Sequence, residues 1–122
     1  MYHLGSLIAF IFSGTTPTSW YTQNLDSQLL PHTWGGRGLS SYDLSLPALI
    51  SSFNMYVHRV KADFPEWARE DLGVLLANAC TPAYEQRGDP SARMSAGSPI
   101  GIPMFVSKLD RLAQRALIES RK

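Results

Sequence analysis

Apolar side chains recur along this chain at the three- and four-residue steps of amphipathic helices, and no segment makes a convincing strand. Leu46, Leu49, Ile50, Phe53, Val57 and Val60 predict a helix over about 45–62, with Ser45 as its candidate cap. It has to stop near Ala62, because Phe64 precedes Pro65 and is driven out of the α region. Asp63-Phe64-Pro65-Glu66 has the form of a capping box for the next helix, in which Trp67, Ala68, Leu72, Leu75, Leu76 and Ala79 share a face until Thr81-Pro82 closes it. The last helix has the cleanest stripe: Ile102, Phe105, Val106, Leu109, Leu112, Ala113, Ala116 and Leu117 are apolar. Lys108, Asp110, Arg111, Gln114, Arg115 and Glu119 fall outside that stripe.

The first element, Tyr2 to about Ser13, differs in carrying apolar residues on every face, among them Leu4, Leu7, Ile8, Phe10, Ile11 and Phe12. A helix of that kind is expected in the middle of a fold; periodicity alone also permits a buried strand. Residues 14–44 are rich in Ser, Thr, Gly and Pro and read as one long irregular loop, with Trp20, Tyr21, Trp34 and Tyr42 scattered through it and a hinge at Gly35-Gly36-Arg37-Gly38. A second connection, 82–101, holds Pro82, Pro90 and Pro99. The pattern therefore predicts an all-α domain, 1–122, of about four helices.

Composition narrows the function classes. A chain of 122 residues can hold one core, and its charged share of 17% is below the roughly 25% of ordinary soluble proteins, which points to extra surface that is buried or covered by a partner. Eleven basic and ten acidic residues give a net charge of +1, too little to draw in nucleic acid or an anionic membrane. The apolar run Leu7–Phe12 lacks the basic flank and cleavage site of a signal peptide, and it is far shorter than the ~20 residues of a membrane span. The single Cys80 has no disulfide partner in the chain, which makes a reducing cytoplasm the expected setting.

Two segments carry a family resemblance. Tyr2-His3-Leu4-Gly5-Ser6-Leu7-Ile8 followed by Ser13-Gly14 resembles the buried central helix of protein-kinase C-lobes, usually Asp-x-Tyr-x-Leu-Gly with a Thr-Gly or Ser-Gly exit. The opening Asp would fall one residue before Met1. Downstream, Leu75-Leu76, Cys80-Thr81-Pro82 and Arg87-Gly88-Asp89-Pro90 resemble the leucine-rich helix, Pro-containing turn and Arg-x-x-Pro segment of the same lobe. The resemblance implies the last third of a kinase-like C-lobe, with Tyr2, Leu4, Gly5, Gly14, Arg87 and Pro90 in structural roles. It also implies an ion pair between Arg87 and a Glu belonging to an earlier segment of the lobe, so Arg87 is expected to be exposed here or to find Glu85, Asp89 or another chain.

No catalytic, metal or cofactor residues are assigned. The residues of phosphoryl transfer precede the central helix in kinases, and neither His58-Arg59-Val60 nor Asp63-Phe64-Pro65 completes the catalytic or metal-binding triplet it imitates. His3, His32, His58 and Cys80 lack zinc-ligand spacing, the Gly35–Gly38 run lacks a phosphate-loop ending, and Gly-x-Ser-x-Gly is absent. Arg111, Arg115, Arg121 and Lys122 are expected to complement the dipole at the end of the last helix. What remains is a non-catalytic, kinase-like fragment that binds a protein partner, either the missing lobe supplied in trans or a second copy. Trp20, Tyr21, Trp34, Phe53 and Tyr56 are its candidate contacts. The competing expectations are a self-contained helical adaptor or antitoxin-like protein and a small enzyme with an unrecognised site.

Overall fold

A computed structural model describes residues 2–25, 39–83, 86–88 and 102–122. These residues form five α-helices and no strand: α1 (Tyr2–Ser13), α2 (Pro17–Asn24), α3 (Leu39–Lys61), α4 (Arg69–Cys80) and α5 (Ile102–Glu119), with a 3-10 turn, Glu66–Ala68, leading into α4. Helix α4 is the hub. It packs on α1 and α3, while α2 lies against α3. Tyr56, Phe64, Phe105, Leu76 and Val60 are the largest fully buried side chains of the single core.

The all-α expectation holds, and three of its details change. The 14–44 segment is not one loop, because α2 occupies part of it. Thr16 accepts a hydrogen bond from the Ser19 amide and Pro17 sits in the first turn, a cap-and-proline start that a polar helix without periodicity hides from pattern reading. Helix α3 begins at Leu39, six residues before Ser45, and runs through Pro47. The Tyr42 hydroxyl in this added turn donates to the Pro82 carbonyl and ties it to the end of α4. The Asp63–Glu66 capping box does not form: neither the 3-10 turn nor α4 has a side-chain cap. Arg69 acts at that corner instead, its Nε donating to the Lys61 carbonyl at 2.9 Å, which also accepts from the Phe64 amide, and its guanidinium to the Phe64 carbonyl at 3.3 Å, so that it ties down the turn where α3 ends. Lys61, half-buried, also reaches the exposed Glu70 at 2.8 Å, a pair of small energetic weight because one partner is in water.

Helix α5 is held more loosely than its stripe suggests. Phe105 is buried and Leu109 and Leu112 pack against the core, whereas Val106, Ala113 and Leu117 are exposed. The Gly35–Gly38 hinge lies outside the described residues. No helix among the described residues is long and apolar enough to cross a membrane.

Candidate functional site

Helix α1 can lie close to α4 because the residues between them are small. A Cβ placed on Gly5 would sit 2.6 Å from the Cys80 Sγ and 2.7 Å from the Ala79 Cβ, so only glycine fits that approach. Gly5, Ile8 and Ala9 are buried along the seam, and the Cys80 thiol donates to the Tyr2 carbonyl at 3.3 Å. Gly14 then ends the helix with φ +75, and its amide bonds to the Phe10 carbonyl at 2.8 Å.

This packing uses one side of α1 and leaves the other bare. Leu7, Phe10 and Ile11, at 54%, 52% and 66% exposure, form an outward strip together with His3, on a helix that carries no Asp, Glu, Lys or Arg. The expectation that an all-round apolar helix lies in the middle of the fold is therefore corrected. Four other helices are present among the described residues, and none lies over that strip.

At the N-terminal end of α1 a cavity of about 190 Å³ opens between Tyr2, Thr18, Tyr21, Tyr42, Leu49 and Arg87. The Tyr2 hydroxyl is hydrogen-bonded to Thr18 at 2.7 Å, and the Tyr21 hydroxyl is buried with no partner among the described residues. Arg87 donates from Nε to the Thr81 carbonyl at 2.7 Å and places its guanidinium 5.1 Å from the centre of the Tyr2 ring, a cation–π contact. Among the described residues no carboxylate pairs with Arg87. Glu85 and Asp89, its expected local partners, lie outside them, as do Pro90 and Trp34.

Burial raises the Tyr2, Tyr21 and Tyr56 phenols above their ordinary value of 10.0, and it pushes the Cys80 thiol up to about 12. These groups therefore stay protonated near neutral pH. They can donate hydrogen bonds but are poor bases and nucleophiles. Among the described residues no cluster of three metal-ligating side chains is present.

The structure brings Tyr2 and Arg87 together, sets Gly5 against α4 and Leu4 against the core, and separates the expected partner contacts. Trp20 is pinned to α3, its indole N–H reaching the Ser52 carbonyl and hydroxyl at 3.0 Å each, and Tyr21 lines the cavity. Phe53 and Tyr56 are core residues, the Tyr56 hydroxyl donating to the Thr15 carbonyl at 3.0 Å, so neither is available to a partner. Tyr42 and Thr18 were not legible as cavity residues, because only tertiary packing places them there. Comparison with protein-family models, with curated proteins and with solved structures returns no match.

Proposed function

We propose that this chain is a non-catalytic, kinase-like C-lobe end that works as a protein-interaction module, its α1 strip covered by a further lobe carried on the same or another polypeptide. The observation that carries this reading is the bare face of Leu7, Phe10 and Ile11 on a helix otherwise seated in the core. Monomeric proteins seldom leave such a contiguous apolar face to water. Arg87 adds to it. A half-buried guanidinium beside a cavity, with no carboxylate among the described residues, suits an acidic side chain arriving from outside, which is what the kinase resemblance implies. The buried lone thiol fits a reducing, cytoplasmic setting.

A self-contained adaptor would be expected to cover α1, and an enzyme would need a base or nucleophile that the cavity's protonated groups do not supply. The coding sequence directly upstream of Met1 tests the lobe reading in its same-polypeptide form: a frame carrying the kinase glycine-rich loop, strand Lys and His-Arg-Asp motif supports that form, and an unrelated frame overturns it and leaves only a lobe on another polypeptide. Titration with ATP and Mg²⁺ tests the non-catalytic part, with no saturable binding expected and micromolar binding the contradicting result.

A further inference from the structure

The cavity at the N-terminal end of α1 has walls of tyrosine, Leu49 and Pro82, and the polar groups along it are left with donors to spare. Three carbonyls at its edge already accept: Pro82 from the Tyr42 hydroxyl, Thr81 from Arg87 Nε at 2.7 Å, and Thr18 from the Thr22 hydroxyl at 3.0 Å. Arg87 spends only Nε in this way. Neither of its terminal nitrogens donates to a described residue, and the Tyr2 ring, 5.1 Å away at its centre, holds the guanidinium from one side. The Tyr2 and Thr18 hydroxyls share one hydrogen bond at 2.7 Å, so one hydroxyl proton of the pair stays unspent whichever of them donates. The Tyr21 hydroxyl is buried without a partner among the described residues. Burial keeps the Tyr2 and Tyr21 phenols protonated against the opposing pull of the Arg87 charge.

We propose that this cavity binds a small aromatic monocarboxylic acid, with the carboxylate on the terminal nitrogens of Arg87 and the ring between the tyrosine, Leu49 and Pro82 walls. Charge selects the head group. One guanidinium matches one carboxylate through two parallel hydrogen bonds, whereas a second carboxylate or a phosphate dianion would leave charge uncompensated against Leu49 and Pro82. Size selects the body. An apolar cavity of roughly 150 Å³ accepts benzene, and sites for drug-sized ligands run to roughly 300–1,000 Å³, so about 190 Å³ suits a single ring with its carboxylate. The tyrosine rings favour an aromatic body over an aliphatic one through edge and offset contacts. The proposal goes beyond the lobe reading. It uses no residue of the α1 strip, and it requires the interior of the cavity, whereas a carboxylate arriving on a partner's side chain needs Arg87 alone.

The test is ¹⁹F NMR of 4-fluorobenzoate titrated with the full chain, with 4-fluorobenzamide titrated alongside and acetate used as a displacing ligand. Saturable binding of the benzoate at or below about 1 mM is expected. The benzamide, which lacks the charge, and acetate, which reproduces a partner's acidic side chain without the ring, should each bind about tenfold or more weakly. Arg87→Gln should lose the preference for benzoate over benzamide. Ile11→Glu should bind like the parent, which separates this site from the α1 interface. Because Arg87→Gln also disturbs the bond to Thr81, the parent chain supplies a second measurement. Its Leu49 methyl resonances should shift on addition of the benzoate, and those of Leu117 on α5 should not. No saturable binding, equal affinity for the benzamide or for acetate, an unchanged preference in folded Arg87→Gln, or methyl shifts at Leu117 without shifts at Leu49 would each overturn the proposal.

Discussion

Gly5 and Gly14 are constrained for different reasons, and the difference is measurable. At Gly5 an alanine gains roughly 0.5–1 kcal/mol of helix propensity, but overpacking against Ala79 and Cys80 costs about 1–3 kcal/mol. The clash wins, so Gly5→Ala should lower the midpoint of chemical denaturation. At Gly14 nothing lies within 4 Å of an added Cβ, yet φ +75 makes Gly14→Ala cost about 1–2 kcal/mol through the backbone alone. A Cys80→Ala background, which removes the nearest clashing atom, should relieve part of the Gly5→Ala loss and none of the Gly14→Ala loss. Equal relief of both would contradict the packing argument.

Cys80 also sets an alkaline limit. Its thiol has an ordinary value of 9.0 and is raised to about 12 by burial, and the Tyr2, Tyr21 and Tyr56 phenols are raised in the same direction from 10.0. A group whose folded value lies above its unfolded one contributes stability below the unfolded value and loses it as pH rises through the folded one. Thermal midpoints should therefore start to fall above about pH 9, and Cys80→Ala should move that onset upward toward the phenol range. A thiol reagent applied at neutral pH should stay unreacted until denaturant is added; rapid labelling of the folded chain would show that Cys80 is accessible.

At the scale of elements, legibility followed periodicity. The inner face of α5 through Phe105, Leu109 and Leu112 was readable because repeated apolar spacing fixes both helix and phase, whereas the end of α1 at Ser13-Gly14 and that of α4 at Thr81-Pro82 were readable from their Gly and Pro stops. Helix α2 is polar, and its only signal was Thr16-Pro17. The start of α3 was misplaced because Ser45 reads as a cap just ahead of the apolar periodicity, whereas the Tyr42–Pro82 bond supports an earlier start. Periodicity also could not say how much of a stripe is covered, which is why Val106 and Leu117 proved exposed. Substitution in α5 should rank accordingly: Phe105→Ala costs most, about 3–5 kcal/mol, Leu109→Asp less because it is half-covered, and Ser107→Asp, at an exposed position, little; Lys108, placed outside the stripe by periodicity, is half-buried like Leu109. Hydrogen exchange should show α5 released first in the Phe105 variant. Equal effects at Leu109 and Ser107 would mean the helix is turned from the described phase.

For the whole molecule, the same sequence feature led to the fold and misled about the site. An all-round apolar α1 was legible, but which of its faces the other helices cover depends on tertiary packing, and the structure gives Ile8 to the core and Ile11 to the surface. The two isoleucines therefore separate folding from association. Ile8→Glu buries a carboxylate in the core and should unfold the chain, whereas Ile11→Glu should leave helicity and thermal midpoint unchanged. The most direct measurement of the central claim is sedimentation velocity of the parent chain and Ile11→Glu across a micromolar concentration series. Concentration-dependent association of the parent that is lost in folded Ile11→Glu is the predicted result. A parent chain that stays a monodisperse monomer throughout, indistinguishable from Ile11→Glu, would contradict the assignment of the α1 strip as an interaction surface.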